Sequence, residues 1–306
     1  MTLPRAPRFL LLIALVCVSS ASILAQQNTD SLVIYVSVTD EQAKPFSGLK
    51  PENFSITVDK TPRAIKSFSA ENIPASVGLL VDASGSVMGN DDKTSEFRRK
   101  ISEGLSQFVA VGNPENDYFA ALFDSRVAFS EGWIRPGDRL DLSSSGGPKQ
   151  TALYDSIYYG VQRLAAARHL RRVLVVVTDG QDSASKHMFK EVRELIKSSD
   201  VTVYAICIVG ADNGSALALE GQGVLNELTA PSGGRMFLLK RDSKAEIVKV
   251  AFELVARDIQ GQYQLTIDKE PGVTPKKWRN IKLKLNKGDA KGWPNLKIRG
   301  RDGYFQ

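Results

Sequence analysis

Two aspartates stand where this chain can offer oxygen to a hard cation. Asp82 follows the apolar run Val77-Gly-Leu-Leu-Val81 and opens the segment Asp82-Ala-Ser84-Gly85-Ser86. Asp179 follows the run Val173-Leu-Val-Val-Val177, in the segment Thr178-Asp179-Gly180. Mg²⁺ and Ca²⁺ take oxygen ligands, and Mg²⁺ pairs one or two carboxylates with neutral oxygens and water. Ser84 and Ser86 lie two apart with the unhindered Gly85 between them, so both hydroxyls can face one point. Other chemistries lack their parts. Ser84 and Ser86 have no glycine two residues before them, as a nucleophile elbow requires. Gly85 and Gly89 do not complete a phosphate-binding or dinucleotide pattern. The only histidines, His169 and His187, have no partner His or Cys at zinc-ligand spacing and read as surface residues. With no Ser-His-Asp set in view, the sequence reads as a binding protein and not an enzyme.

The elements that would carry these residues follow from hydrophobic patterning. Residues 77–81 and 173–177 are continuous apolar runs, as expected of strands covered on both faces. Helical spacing marks residues 95–111, 152–167, 186–197 and 245–256. Strands are expected at 118–123, 127–133 and 201–209, and residues 225–228 and 235–239 continue the alternation. Repeated strand–helix units predict an α/β fold, a doubly wound and mostly parallel sheet between helices. In such sheets ligands sit beyond the carboxyl ends of the strands, where Asp82 and Asp179 fall.

The two ends of the chain have a different texture. Residues 32–38, 54–58 and 64–68 alternate apolar and polar, as do 263–267, 281–285 and 296–299. That pattern indicates antiparallel strands with one wet face. Neither end suffices alone, so both are expected to build one small β-sandwich with the α/β unit inserted between them. The expected division is 1–25, 26–72, 73–258 and 259–306. Lys282 and Lys284 share one face of a strand whose other face is apolar, the pattern of a soluble edge strand.

Three segments together resemble the metal-ion-dependent adhesion site of von Willebrand factor A domains. Asp82-Ala-Ser84-Gly-Ser86 matches its Asp-x-Ser-x-Ser core, Gly147-Pro-Lys-Gln-Thr151-Ala-Leu-Tyr-Asp155 is similar to its threonine loop, and Thr178-Asp179-Gly180 matches its final aspartate. The resemblance covers about residues 75–258. It implies that Ser84, Ser86 and Thr151 supply hydroxyl oxygens, while Asp82 and Asp179 act directly or through water. It implies one ion, Mg²⁺ or else Ca²⁺ or Mn²⁺, with one coordination position left for a Glu or Asp carboxylate of a partner protein. Thr151 can also serve as a helix N-cap. Asp182 reads as a solvated loop or capping residue. The last helix of such domains shifts on ligand binding, an expectation held here at the level of fold alone. Over the whole mature chain it resembles secreted A-domain-related proteins frequent in acidobacteria. The matching flanks are Val36-Ser-Val-Thr-Asp40, Leu49-Lys-Pro-Glu-Asn-Phe54 and Arg299-Gly-Arg-Asp-Gly-Tyr-Phe305. Val87 departs from that pattern, where methionine is usual, and supplies no ligand.

Composition bounds the rest. The 306 residues are 42% hydrophobic and 24% charged, values that support a packed core. Forty basic against 34 acidic residues is too mild an excess to argue for nucleic acid. Residues 9–18 are uninterrupted and apolar after Arg5 and Arg8, with Ala21 and Ala25 as cleavage positions. That reads as an export signal, too short to span a bilayer at roughly 20 residues. The mature chain is therefore expected to be secreted, periplasmic or envelope-held, with no transmembrane segment. Removal of Cys17 with the signal leaves Cys207 alone in an apolar strand, so an intrachain disulfide is excluded. The alternative to a metal-dependent adhesion module is a structural assembly protein of the cell envelope without a working metal site.

Overall fold

The computed structural model describes residues 31–88, 92–136, 150–210, 214–270, 277–286 and 293–306. The expected export signal and residues 147–149 of the threonine loop lie outside these. The chain enters with β1 (Ser31–Thr39), β2 (Phe54–Val58), β3 (Thr61–Arg63) and β4 (Ser67–Ser69). The α/β part follows: β5 (Ser76–Asp82), the single turn α1 (Gly85–Met88), α2 (Asp92–Val111), β6 (Asp117–Phe123) and β7 (Val127–Phe129). It continues with α3 (Leu153–Ala165), β8 (Arg172–Thr178), α4 (Phe189–Ser198), β9 (Val201–Val209), α5 (Ala216–Thr229), β10 (Met236–Lys240) and α6 (Ala245–Gln260). The chain then runs through β11 (Tyr263–Asp268), β12 (Trp278–Leu285), β13 (Lys297–Arg299) and β14 (Gly303–Phe305).

Among the described residues the central sheet runs β10-β9-β8-β5-β6-β7, parallel except for β7. The chain winds outward from β5 in one direction and then, starting at β8, in the other. This reversal makes the β5–β8 crevice the topological switch point. Every residue of β5 and of β9 is buried, the consequence of helices on both faces. α1, α2 and α6 cover one face with Phe97, Ile101, Phe108, Val248 and Phe252. α3, α4 and α5 cover the other with Leu153, Ile157, Val192, Ile196 and Leu225. The expected α/β fold is the observed one, and no helix among the described residues is long and apolar enough to cross a membrane.

Two further sheets, β13-β1-β11-β4 and β14-β12-β2-β3, each combine strands from both ends of the chain. They enclose a shared core that includes Ile34, Val36, Phe54, Ile56, Tyr263 and Leu265. Some boundaries differ from the expected ones. The strand expected at 64–68 is observed as β4, and a further strand, β3, follows a turn at Asp59 and Lys60. Both adopt positive φ, 48° and 71°, and Val58 pairs with Thr61 across this two-residue hairpin. Residues 225–228 belong to α5, whose first half exposes Leu217 and Leu219 and therefore carries little helical signature. β7 ends at Phe129 instead of continuing to residue 133.

Candidate functional site

β5 ends at Asp82 and β8 ends at Thr178, on either side of the switch point. Both residues are fully buried. The Thr178 hydroxyl donates to Asp82 Oδ2 at 2.7 Å, and the Ser84 backbone N–H donates to Asp82 Oδ1 at 2.9 Å. Ser84 Oγ and Ser86 Oγ are 3.0 Å apart, with Ser84 buried and Ser86 exposed. Among the described residues no Lys, Arg or His pairs with the Asp82 carboxylate. Burial, with the nearby Asp179 charge adding to it, pushes its pKa up to about 7 against the stabilising bonds from Ser84 and Thr178.

Asp179 follows Thr178 on a loop of fixed shape. Its Oδ1 accepts from the Gln181 N–H at 3.0 Å, and the Gly180 N–H donates back to the Thr178 hydroxyl at 3.2 Å. Gly180 has φ +84°, a conformation that favours glycine. A Cβ on Gly221 of α5 would lie 2.2 Å from the Asp179 carbonyl oxygen, so two glycines permit this loop to touch the helix.

The Thr151 segment arrives by way of β6. Two successive carbonyls there hold two loops: Phe123 O accepts from the Ala83 N–H at 2.7 Å, and Asp124 O accepts from the Ala152 N–H at 2.6 Å. Thr151 is buried, and it is bound from the other side by the loop after Asp179. The Ser183 and Ala184 N–H groups donate to Thr151 O at 2.8 and 3.0 Å, and the Thr151 N–H donates to Ser183 Oγ at 3.0 Å. Thr151 does not cap α3: the N-cap position is Ala152, without a side-chain bond. Asp182 takes that role from another loop, accepting the Tyr154 N–H at 3.1 Å.

The arrangement thus joins, by hydrogen bonds at the carboxyl end of the sheet, the loops that carry Asp82, Ser84, Ser86, Thr151 and Asp179. It offers two carboxylates and three hydroxyls, an oxygen-only set that suits a hard cation. Thr178 is the neighbour of Asp82 that reasoning from the sequence missed. Its position inside the Thr-Asp-Gly segment was visible, but only the pairing of β5 with β8 puts its hydroxyl against Asp82.

His187 also differs from its reading as a surface residue. Its Nδ1 lies 2.7 Å from Asp155 Oδ1, and its ring stacks on Tyr158 at 3.7 Å and meets Tyr159 edge-on. Burial pushes the Asp155 carboxyl up, but the bonds from His187 and Lys186 outweigh this and hold it below its ordinary value. This is an Asp–His pair without a nucleophile among the described residues. The nearby Ser185 hydroxyl accepts from the Asp155 N–H and donates to Asp182.

No protein-family model matches the sequence, and no curated protein matches it. Solved structures are similar in part. Proximal thread matrix protein 1 from the mussel byssus is 14% identical over 66% of this chain and 51% of its own, with a TM-score of 0.46. The chain thus spans about half the length of that protein. A von Willebrand factor type A protein from Catenulispora acidiphila is 12% identical over 86% of this chain and 72% of its own, TM-score 0.46. An ArnB paralog, VWA2, from Sulfolobus acidocaldarius is 12% identical over 89% and 76%, TM-score 0.44.

Proposed function

We propose that this chain is an exported protein-binding module of the von Willebrand factor A type. In this reading it holds one divalent cation and does binding rather than catalysis. Asp82, Ser84, Ser86, Thr151 and Asp179 would hold Mg²⁺, or Ca²⁺ or Mn²⁺ in its place. The observation that carries this is the Asp82 carboxylate, buried at the switch point beside Asp179 with hydroxyl and amide neighbours and no cationic side chain among the described residues. Burying a carboxylate without a cation is costly, and a divalent ion offsets that cost. The Thr178 hydroxyl and the Ser84 N–H fix the Asp82 carboxylate in one orientation. The Ala83 and Ala152 N–H groups bond Phe123 O and Asp124 O, which ties the loops that carry Ser84 and Thr151 to successive residues at the end of β6. When bound, the ion supplies an open coordination position for a Glu or Asp carboxylate of a partner protein. Two carboxylates nearly neutralise a divalent charge, and a third from the partner gains attraction where water is partly excluded.

A second reading is a structural assembly protein of the cell envelope that uses no metal. It is favoured by the fact that both Asp82 oxygens already accept hydrogen bonds, so the site is satisfied without an ion. Isothermal titration with Mg²⁺ and Mn²⁺ separates the two. Saturable heat in the natural chain, absent in Asp82→Ala, supports the cation module; no heat in the natural chain supports the assembly reading.

A further inference from the structure

The loop between β8 and α4 is joined to the start of α3 along a run of hydrogen bonds that continues well past Thr151. Ser183 and Ala184 bond Thr151, Asp182 bonds the Tyr154 N–H, and Ser185 bonds the Asp155 N–H. The run ends on the Asp155 carboxylate, which accepts the Lys186 N–H at 3.1 Å, the His187 N–H at 2.9 Å and the imidazole at 2.7 Å. Asp155 is buried, and Tyr158 stacks on the imidazole ring from one turn further along α3. Asp179 sits at the beginning of this loop and Thr151 at the beginning of this helix.

We infer that Asp155 and His187 are positioning residues for the cation site: their pairing joins the Asp179 loop and the Thr151 segment into one body and so fixes the separation of two candidate ligands. The inference rests on the cation reading above. Neither residue is in the candidate ligand set. The imidazole acts as a bolt: it closes the far end of the loop, where Lys186 and His187 would otherwise meet the carboxylate through backbone N–H groups alone. Losing a group hydrogen-bonded directly to a metal ligand typically costs about 10–100-fold in affinity; Asp155 and His187 act through the backbone of the two segments, so their effect falls at the low end.

The test uses the full chain, with Mn²⁺ alone as the probe. His187→Phe keeps a ring to stack on Tyr158 and removes the Nδ1 bond to Asp155. His187→Asn keeps an amide nitrogen near the place of Nδ1 and removes the ring. Mn²⁺ affinity is read by electron paramagnetic resonance, and thermal midpoints are taken in EDTA. The expected result is about a tenfold weaker affinity in His187→Phe, an affinity near the natural one in His187→Asn, and similar midpoints in all three. A purely structural role for His187 predicts the reverse, with midpoints falling and affinity constant among folded variants. Natural-level Mn²⁺ affinity in His187→Phe overturns the positioning role while leaving the cation site standing. A natural chain that takes up no Mn²⁺ overturns the cation site and the positioning role together.

Discussion

At the amino end of the parallel strands the buried Asp258, from the last turns of α6, meets two guanidiniums. Arg299 of β13 donates to both its oxygens at 2.9 and 3.0 Å, and Arg235 approaches to 3.5 Å. Beside it Arg171 donates to Gln262 Oε1 at 2.8 Å, and Gln262 donates on to the Tyr204 hydroxyl at 3.0 Å. At the carboxyl end the equally buried Asp82 meets two hydroxyls, a backbone N–H and a second carboxylate. The same sheet thus buries two acids in opposite ways. One is neutralised from within the chain and ties α6 to the β-sandwich. The other is matched by no cationic side chain among the described residues. A buried acid by itself says little about function; the sign of its neighbours separates a structural pair from a candidate ion site.

The contrast can be broken experimentally, and the largest effect is expected at the carboxyl end. Asp82→Ala abolishes Mg²⁺ and Mn²⁺ binding in a calorimetric titration, while Asp258→Ala leaves the affinity unchanged. Equal loss in both variants would erase the distinction between the two ends. Stability should respond in the other direction. Removing one partner of a buried ion pair costs about 3–5 kcal/mol, so Asp258→Ala lowers the denaturation midpoint sharply by circular dichroism. Asp82→Asn relieves the buried charge but gives up one of the two accepted bonds, so in EDTA it lowers the midpoint far less than Asp258→Ala.

The third effect is a pH dependence. The Asp82 pKa is raised in the folded chain from an ordinary 3.8 to about 7, so folding favours its protonated form. Its contribution to stability is complete below pH 3.8 and is lost as pH rises through about 7. In EDTA the natural chain should therefore lose stability across this window relative to Asp82→Asn, and saturating Mg²⁺ should remove the difference. Parallel pH profiles for the two chains in EDTA would show that the carboxylate is not strained by its surroundings. The smallest effect is at Gly221. In Gly221→Ala the new Cβ would lie 2.2 Å from the Asp179 carbonyl oxygen, so the loop must move, which weakens Mn²⁺ binding several-fold and also lowers the midpoint in EDTA. An unaltered affinity would mean that the Asp179 loop tolerates displacement.

Much of this was legible in the residues themselves, and for particular reasons. β5 and β8 announce themselves because a strand covered on both faces must be apolar throughout, and the polar residue that ends each run is then conspicuous. The alternation in β2, β11 and β12 marks strands with one covered face for the same reason. α5 escaped because its exposed Leu217 and Leu219 break the one-sided pattern. The β3 turn escaped because Asp59 and Lys60 take positive φ without the glycine that usually signals it.

What the sequence determined by itself is the periodic burial of each element and the residue types at the strand ends, since both depend only on neighbours along the chain. Pairings between distant residues were decided by the tertiary structure alone. Thr178 reaches Asp82 across 96 positions, Asp155 receives His187 across 32, and Asp258 receives Arg299 across 41. None of these carries a local signal, because a polar side chain that will be buried looks the same in sequence as one that faces water. Strand order and register bring it to its partner, and only then does burial make the bond count.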